Sequence, residues 1–261
     1  MFHSAWRQSR GARSYQEDTA VVWPGQVAEA ADGGSQLLAV LADGMGGHTG
    51  GAIASRTVCD GFLKAYSGGN GPLPRRLVTA LEASNDAVAR EVASDPSLYG
   101  MGSTLVGATF GLDGVEWVSV GDSPLFLYRH GEIALLNEDH SLAPALDQLV
   151  AQGKLSAERA RNDPRRHMLR SAITGEEVEM VDVSRRPLPL ESGDFVILAS
   201  DGIHTLEPAE IARVVAAYGA DGCDVLASAL IRAVEQMRAP HQDNTTVIVV
   251  QPNGELPARG G

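Results

Sequence analysis

Short apolar runs separated by turn-forming residues dominate both ends of this chain. Runs of this length, rich in β-branched residues and bounded by Gly, Asp or Asn, predict strands. Asp113-Gly114 and His130-Gly131 are typical of hairpin turns, and a glycine-rich turn near 32–34 joins the first two runs. The predicted strands cover residues 19–23, 36–42, 103–110, 115–120, 124–129, 132–137, 178–184, 194–200 and 245–250.

Helical periodicity comes in two pairs of segments instead of after every strand. Phe62 and Tyr66 extend the apolar face of one helix, and Leu77 and Leu81 belong to the stripe of the next. Consecutive hairpins imply antiparallel sheets, and paired helices disfavour a doubly wound parallel sheet. The pattern therefore predicts an α+β fold in which two antiparallel sheets pack face to face with helix pairs outside. The predicted helices cover about 50–66, 73–93, 207–218 and 222–238.

A polar, helical stretch at about 141–174 interrupts the strands. Its interior, ERARNDPRRH at 158–167, places five Arg or His residues near two acids. Such a stretch cannot form a core of its own, so we expect it to be mobile compared with the sheets. Residues 1–252 are predicted to form a single domain, and 253–261 a loose tail.

The net charge of −12 argues against binding to nucleic acid or acidic membranes, because both need basic patches. No apolar run approaches the roughly 18 residues of a membrane span, and the N-terminus lacks the apolar region of a signal peptide. Cys59 and Cys223 fit a reducing cytosol, and neither has the Arg six residues later that Cys-based phosphatases use. We therefore expect a cytoplasmic protein without membrane insertion, and a monomer.

The glycine-rich stretch LLAVLADGMGGHTGG, at 37–51, follows a predicted strand and precedes a helix. It is not a dinucleotide cradle, because Thr49 stands where the third Gly or Ala belongs. Asp43 would also repel a pyrophosphate at the helix N-terminus. Lys64 and Lys154, the two lysines, both lie outside a Walker loop.

Acidic residues recur at the ends of apolar strands. Taken singly, each can be explained as a turn or a cap. Asp43 and Asp201 differ, because each follows an apolar run without alternation that predicts a strand buried on both faces. If such strands lie in opposed sheets, their carboxylates converge and repel unless a cation sits among them. Oxygen ligands without His or Cys select Mg²⁺ or Mn²⁺. The other acidic strand ends are Asp122, Glu17-Asp18 and Asp243-Asn244.

Seven short motifs, spread over nearly the whole chain, resemble in order those of the metal-dependent serine/threonine protein phosphatases of the PP2C (PPM) family, most nearly the bacterial stand-alone members. The motifs are RSYQED (13–18), DGMGGH (43–48), GSTLVGA (102–108), VGDS (120–123), NEDHS (137–141), SDG (200–202) and DNTT (243–246). The resemblance implies that family's four-layer α/β/β/α sandwich. It also implies that the stretch at 141–174 is the flap, a subdomain beside the active site.

The same resemblance implies a role for each acidic position. Two core Mn²⁺ or Mg²⁺ ions are expected, together with a third, weaker one. Asp43 resembles the carboxylate that bridges the core pair, with the Gly44 carbonyl on the second ion. Asp201 and Asp243 resemble the remaining ligands of the first ion. Glu17 and Asp18 resemble the acidic pair that holds the second ion, directly or through water. Asp122 resembles a ligand of the third ion, which it shares with Asp201.

Four further positions either match the family pattern or depart from it. Arg13 resembles the arginine that grips phosphate. Gln16 replaces the usual Asn, a change between amides. Met45 follows Asp43-Gly44, as in bacterial members, where eukaryotic members have a His proposed as general acid. His48 comes three residues later and is either that acid or an ordinary loop histidine.

The implied function is hydrolysis of phosphoserine and phosphothreonine in proteins by metal-activated water, without a phosphoenzyme. The expected partners are phosphorylated proteins, with a Ser/Thr kinase or its substrates among them. Two alternatives stay open: a pseudophosphatase that binds phosphoproteins without turnover, and a metal-dependent phosphoesterase acting on small molecules. Four flap arginines either recruit acidic or phosphorylated protein segments or form ordinary surface pairs. They are Arg159, Arg161, Arg165 and Arg166.

Overall fold

The computed structural model describes residues 2–25, 36–47 and 49–253. Within these ranges the strands are β1 (Phe2–Ser9), β2 (Asp18–Gly25), β3 (Gln36–Met45), β4 (Gly102–Ser103), β5 (Leu105–Gly111), β6 (Gly114–Val120), β7 (Leu125–Arg129), β8 (Glu132–Leu135), β9 (Asp182–Val183), β10 (Phe195–Ala199) and β11 (Thr245–Pro252). The α-helices are α1 (Thr49–Gly68), α2 (Leu73–Ser94), α3 (Ala143–Ala151), α4 (Ala157–Arg161), α5 (Pro208–Tyr218) and α6 (Cys223–Gln236). The predicted turn near 32–34, His48 and most of the predicted tail lie outside the described residues.

The strands form two antiparallel sheets. The first has five strands in the order β1-β11-β10-β7-β8. The second has six strands, with β2-β3-β5-β6-β9 in a row and the short β4 paired to β3. Every strand pair among the described residues is antiparallel. The prediction of antiparallel sheets is confirmed.

Three apolar clusters hold the layers together. One lies between the sheets, where Leu41 and Val106 pack with Leu198 and Ile248. A second packs α1 and α2 on the outer face of the six-stranded sheet, and a third packs α5 and α6 on the five-stranded sheet. This order of helices, sheet, sheet and helices is the predicted α/β/β/α sandwich.

A glycine in β5 allows α1 to approach its sheet closely. The Phe62 ring of α1 is fully buried, and a Cβ on Gly107 would lie 2.5 Å from its Cζ. Burying a side chain of this size contributes about 1.5–3 kcal/mol, which the close approach makes available.

The central strands β3 and β10 are buried on both faces, as their unbroken apolar runs predicted. They belong to different sheets, and each leads directly to an acidic residue. The ends of these two strands therefore bring Asp43 and Asp201 to the same edge of the sandwich.

Three element predictions were wrong. Strand β1, which alternates FHSAWRQS, was not predicted, and it pairs along its whole length with β11. The strand predicted at 178–184 is reduced to β9, because Met180 bonds the Ser171 hydroxyl through both its N–H and its carbonyl instead of a neighbouring strand. The strand predicted at 103–110 is broken at Thr104, between β4 and β5.

The flap contains two short helices, α3 and α4, and is otherwise irregular. An isolated bridge between Ser141 and Leu169 joins the two ends of the flap, and a second between Ser103 and Ile173 attaches it to β4. Its mobility stays a prediction. No helix in the described part of the chain is long and apolar enough to cross a membrane.

Candidate active site

A cleft of about 700 Å³ opens where the ends of both sheets meet. Its floor carries Asp43 near the end of β3, Asp201 two residues after β10, and Asp243 two residues before β11. Asp122, from the β6–β7 connection, and Glu17, which precedes β2, also line it. The structure therefore brings together acidic residues from five separate motifs.

Asp18 lies opposite Asp43 in the β2–β3 pairing and is only 6% exposed. Its Oδ2 accepts hydrogen bonds from Ser200 Oγ at 2.8 Å and Thr246 Oγ1 at 2.7 Å. Both hydroxyls come from the other sheet, so this carboxylate joins the two sheets beneath the cleft. Burial raises the pKa of Asp18 to about 6, against these hydrogen bonds, and nearby Asp201 raises it further.

Asp43 is fixed by the break between β4 and β5. Its backbone N–H donates to Thr104 Oγ1 at 3.0 Å, and its carbonyl accepts from Thr104 N at 2.8 Å and Ser103 Oγ at 2.9 Å. Burial raises the pKa of Asp43 well above its ordinary value, and the charges of Asp18 and Asp201 raise it further.

The pKa values of Asp201 and Asp122 are shifted in the same direction. Burial raises the pKa of Asp201, and the charge of Asp243 adds to the shift. Burial raises the pKa of Asp122 to about 7, with Asp201 as the next cause. Each carboxylate thus makes its neighbours harder to ionise, which is the behaviour of like charges held together without a counter-ion.

Asn244 attaches the N-terminal loop to the floor. Its side-chain Nδ2 donates to the carbonyls of Arg10 and Tyr15, both at 2.9 Å, and its Oδ1 accepts from Glu17 N at 2.7 Å. This loop presents Arg13 at the rim, where the guanidinium forms an ion pair with Asp243.

Gly44 and Gly51 pack backbone against backbone beside the floor. A Cβ on Gly44 would lie 2.6 Å from the Glu17 carbonyl oxygen, and a Cβ on Gly51 would lie 2.9 Å from Gly44 C. Any side chain at Gly44 would therefore push β3 away from the floor, which explains the glycine after Asp43.

Comparison with known proteins decides the family. The family model described as protein phosphatase 2C matches residues 26–240. The chain belongs to the protein phosphatase 2C family. The resemblance drawn from the motifs is confirmed, although 13–18 and Asp243 lie outside the matched residues.

The curated relatives are bacterial phosphatases. Serine/threonine protein phosphatase PstP of Mycobacterium tuberculosis is 34% identical over 217 residues, which are 83% of this chain and 40% of that relative. Serine/threonine phosphatase stp of Listeria monocytogenes is 32% identical over 212 residues, 79% of each chain. This chain therefore spans well under half the length of PstP.

Solved structures of this family share the fold. The serine/threonine phosphatase PstP/Ppp of M. tuberculosis has a TM-score of 0.76 and 30% identity, with 97% of this chain and 99% of that one covered. The PstP catalytic domain in complex with two manganese ions has a TM-score of 0.71 and 29% identity, covering 96% and 97%. Manganese is thus bound by a phosphatase 2C relative.

The floor of this phosphatase 2C chain fits hard cations by its chemistry. In the part of the chain that the structure describes, no group of three or more acidic, histidine or cysteine side chains is arranged to hold a metal ion. However, Asp18 Oδ1 and Asp201 Oδ1 are buried without a hydrogen-bond partner. Buried carboxylate oxygens without partners, among carboxylates of raised pKa, are stabilised by a divalent cation. Backbone carbonyl and water oxygens would complete such a coordination shell.

The flap arginines do not line the cleft. Arg165 pairs with Asp163 at 3.0 Å, and Arg166 donates twice to Asp147, at 2.8 and 2.9 Å. Arg159 and Arg161 have no ion pair within the described residues. For Arg165 and Arg166 the structure favours the surface-pair alternative. The flap residues that line the cleft are instead 167–172 and Thr174.

The hydroxyls of Thr104, Ser200 and Thr246 and the amide of Asn244 position the floor but were given no role from sequence. All four belong to the quoted motifs, so the signal was present. The partners described above lie 61 to 234 residues away along the chain, which is why the role of these side chains could not be predicted from local sequence.

Proposed function

We propose that this chain hydrolyses phosphoserine and phosphothreonine in proteins without a phosphoenzyme. The observation that carries the proposal is the convergence of Asp43, Asp201 and Asp243 on one open cleft in a phosphatase 2C chain. A cleft of about 700 Å³ has room for a phosphorylated side chain and part of its backbone. The whole protein's substrates include phosphoproteins made by a Ser/Thr kinase.

Two core ions, Mn²⁺ or Mg²⁺, would be held by the floor. Asp43 would bridge them, with the Gly44 carbonyl beside it, and a weaker third ion would lie at Asp122. Asp201 and Asp243 would complete the first position, and Glu17 and Asp18 the second, directly or through water. When bound, such ions activate water for attack on phosphorus and offset negative charge on the phosphoryl group.

The chain's own groups orient the substrate. Arg13 carries a planar fork of donors that suits two phosphoryl oxygens. Its ion pair with Asp243 holds that fork at the rim of the cleft. Asp18, tied to Ser200 and Thr246 of the other sheet, keeps the floor of the cleft in register. For His48 both alternatives remain proposals: it acts as the general acid, or it is an ordinary loop histidine.

A cytoplasmic monomer is part of the same proposal. Cys59 and Cys223 are both free and buried, which fits a reducing compartment. Their thiol pKa values are raised by burial, so neither competes as a nucleophile.

The decisive experiment compares turnover of a phosphothreonine peptide with a panel of metabolite phosphates, with and without Mn²⁺. We expect the peptide to be hydrolysed only with metal, because oxygen ligands release their ions to a chelator. EDTA should abolish activity, and excess Mn²⁺ or Mg²⁺ should restore it. Full activity in excess EDTA after dialysis refutes the proposal. Faster turnover of a metabolite phosphate supports the phosphoesterase alternative, and peptide binding without turnover supports the pseudophosphatase.

A further inference from the structure

We infer that Glu177 and Glu179 form an acidic wall of the cleft that selects phosphopeptides with a basic residue beside the phosphorylated one. The inference rests on the proposed protein phosphatase function and names its substrate class. Both residues line the same cleft as Asp43 and Asp201.

The segment that carries the acidic wall is firmly held. Asn85 of α2 donates to the Glu176 carbonyl at 2.7 Å and accepts from Gly175 N at 2.9 Å. The Ser171 hydroxyl bonds the Met180 carbonyl at 2.9 Å and the Met180 N–H at 3.0 Å. One end of the segment is therefore tied to α2 and the other to Ser171 of the flap.

Burial along the segment alternates. Val178 packs against the cluster beneath α1 and α2, whereas Glu177 and Glu179 on either side are exposed. The half-buried valine turns its two acidic neighbours outward, and both line the cleft. Glu176 is also exposed but does not line it, which makes this residue a natural control.

The acidic wall is not neutralised by the protein. Neither Glu177 nor Glu179 has an ion-pair partner in the described ranges 2–25, 36–47 and 49–253. Arginine reaches the cleft lining at Arg13 and Arg170, and Arg13 is already paired with Asp243. Cations on the floor would neutralise the floor carboxylates but leave the rim acidic.

A separate observation points to a ligand in this cleft. Asp201 Oδ1 is buried on its floor without a hydrogen-bond partner, so the floor is where cations, and with them the phosphate, are expected. When the phosphate of a peptide binds at the floor, the residues that flank the phosphorylated one lie along the rim of the cleft. Lys or Arg beside the phosphorylated residue is attracted by the acidic wall, and Asp or Glu is repelled.

The test uses the full chain with Mn²⁺ and three phosphothreonine peptides whose flanking residues are basic, neutral or acidic. The variants are Glu177→Lys, Glu179→Lys and the double change, with Glu176→Lys as the matched control. A Glu177→Gln/Glu179→Gln variant removes the charge without reversing it. Thermal melting identifies any variant that does not fold. Turnover of p-nitrophenyl phosphate, which has no flanking residues, measures catalysis at the floor without a contribution from the acidic wall.

For the native chain we expect kcat/KM to be higher with the basic peptide than with the acidic one. The double Lys variant should lower that ratio about tenfold at low salt, since two exposed pairs are each worth a few-fold and reversal adds repulsion. The Gln variant should lower it about threefold, and the effect should lie in KM and shrink at high salt. Glu176→Lys should leave the ratio within about twofold.

An unchanged ratio in the double Lys and Gln variants overturns the inference, as does an equal change in Glu176→Lys. Turnover of the neutral peptide by the native chain separates the two proposals. If it is absent with Mn²⁺, the proposed function fails. If it is present while the ratio does not respond, only the selection by the acidic wall fails.

Discussion

The cleft floor and the flap both contain acidic residues whose pKa values are shifted, but in opposite directions. On the floor, burial and neighbouring carboxylates raise the pKa values of Asp18 and Asp122 to about 6 and about 7. In the flap, the hydrogen bond from Arg165 lowers the pKa of Asp163 to about 2, and Arg166 lowers that of Asp147. These flap acids are paired with arginines, whereas among the floor aspartates only Asp243 has an ion pair within the described residues.

The buried floor carboxylates are suited to binding a cation, whereas the flap carboxylates Asp147 and Asp163 are already paired with an arginine of the chain. Exposed pairs of the flap type contribute about 0–1 kcal/mol. Buried like charges are costly until a cation or a proton relieves them. Substitutions on the cleft floor should therefore change the rate of catalysis strongly, whereas substitutions of the paired flap residues should change catalysis little.

The largest expected effect is on turnover. Asp43→Asn and Asp201→Asn should each lower kcat at least ~10³-fold, because metal activation of the nucleophile supplies several kcal/mol. Melting of either variant in EDTA should be unchanged or slightly higher, since each change relieves repulsion. Phosphopeptide kinetics with Mn²⁺ and melts with EDTA measure the two parts separately.

Asp221→Asn is the matched control, because Asp221 is an exposed Asp-Gly residue of a short 3₁₀ turn away from the cleft. It should leave both turnover and melting unchanged. A collapse of the melt in Asp43→Asn, with activity lost in proportion, would show that Asp43 is only a turn and cap residue.

An intermediate effect is expected in the pH dependence of metal-free stability. The folded-state pKa of Asp122 is raised to about 7, above the ordinary value of about 3.9. The folded chain therefore keeps this proton to higher pH, and stability is lost as pH rises from about 4 through 7. Asp122→Asn should raise the melting temperature in EDTA by a few degrees at pH 8, by less at pH 5 and not at all below about pH 4.

Comparing the variant with the native chain at each pH removes contributions from buried histidines. Burial lowers the pKa values of His140 and His204, which changes stability in the opposite direction below about pH 6.5. Mn²⁺ should abolish the advantage of Asp122→Asn at pH 8. An advantage that is independent of pH would contradict the raised pKa.

The smallest effect is expected in the flap. Arg165→Glu/Arg166→Glu should change KM on a phosphoprotein by less than about twofold, because both arginines are held by Asp163 and Asp147. Arg159→Glu/Arg161→Glu tests the two arginines without ion pairs among the described residues. A raised, salt-dependent KM with unchanged turnover of an aryl phosphate would instead establish recruitment by the flap.

Several predictions from sequence succeeded because they used local information. Unbroken apolar runs identified β3 and β10 as strands buried on both faces, and the structure confirms both. Paired helical periodicities located α1, α2, α5 and α6 to within a few residues. Strand β1 was missed because its exposed and half-buried positions mix, and pairing with β11, some 240 residues away, makes it a strand.

The sequence by itself determined the element types, the family and the acidic residues at strand ends, since periodicity and motif order are properties of the chain read in one direction. The tertiary structure decided which charges meet. Asp18 joins the sheets through Ser200, 182 residues away. Arg166 pairs with Asp147, whereas Glu177 and Glu179 line the cleft with no ion pair among the described residues. The physical reason is that Coulomb energies and hydrogen bonds depend on distances in space, which the packing of the two sheets sets.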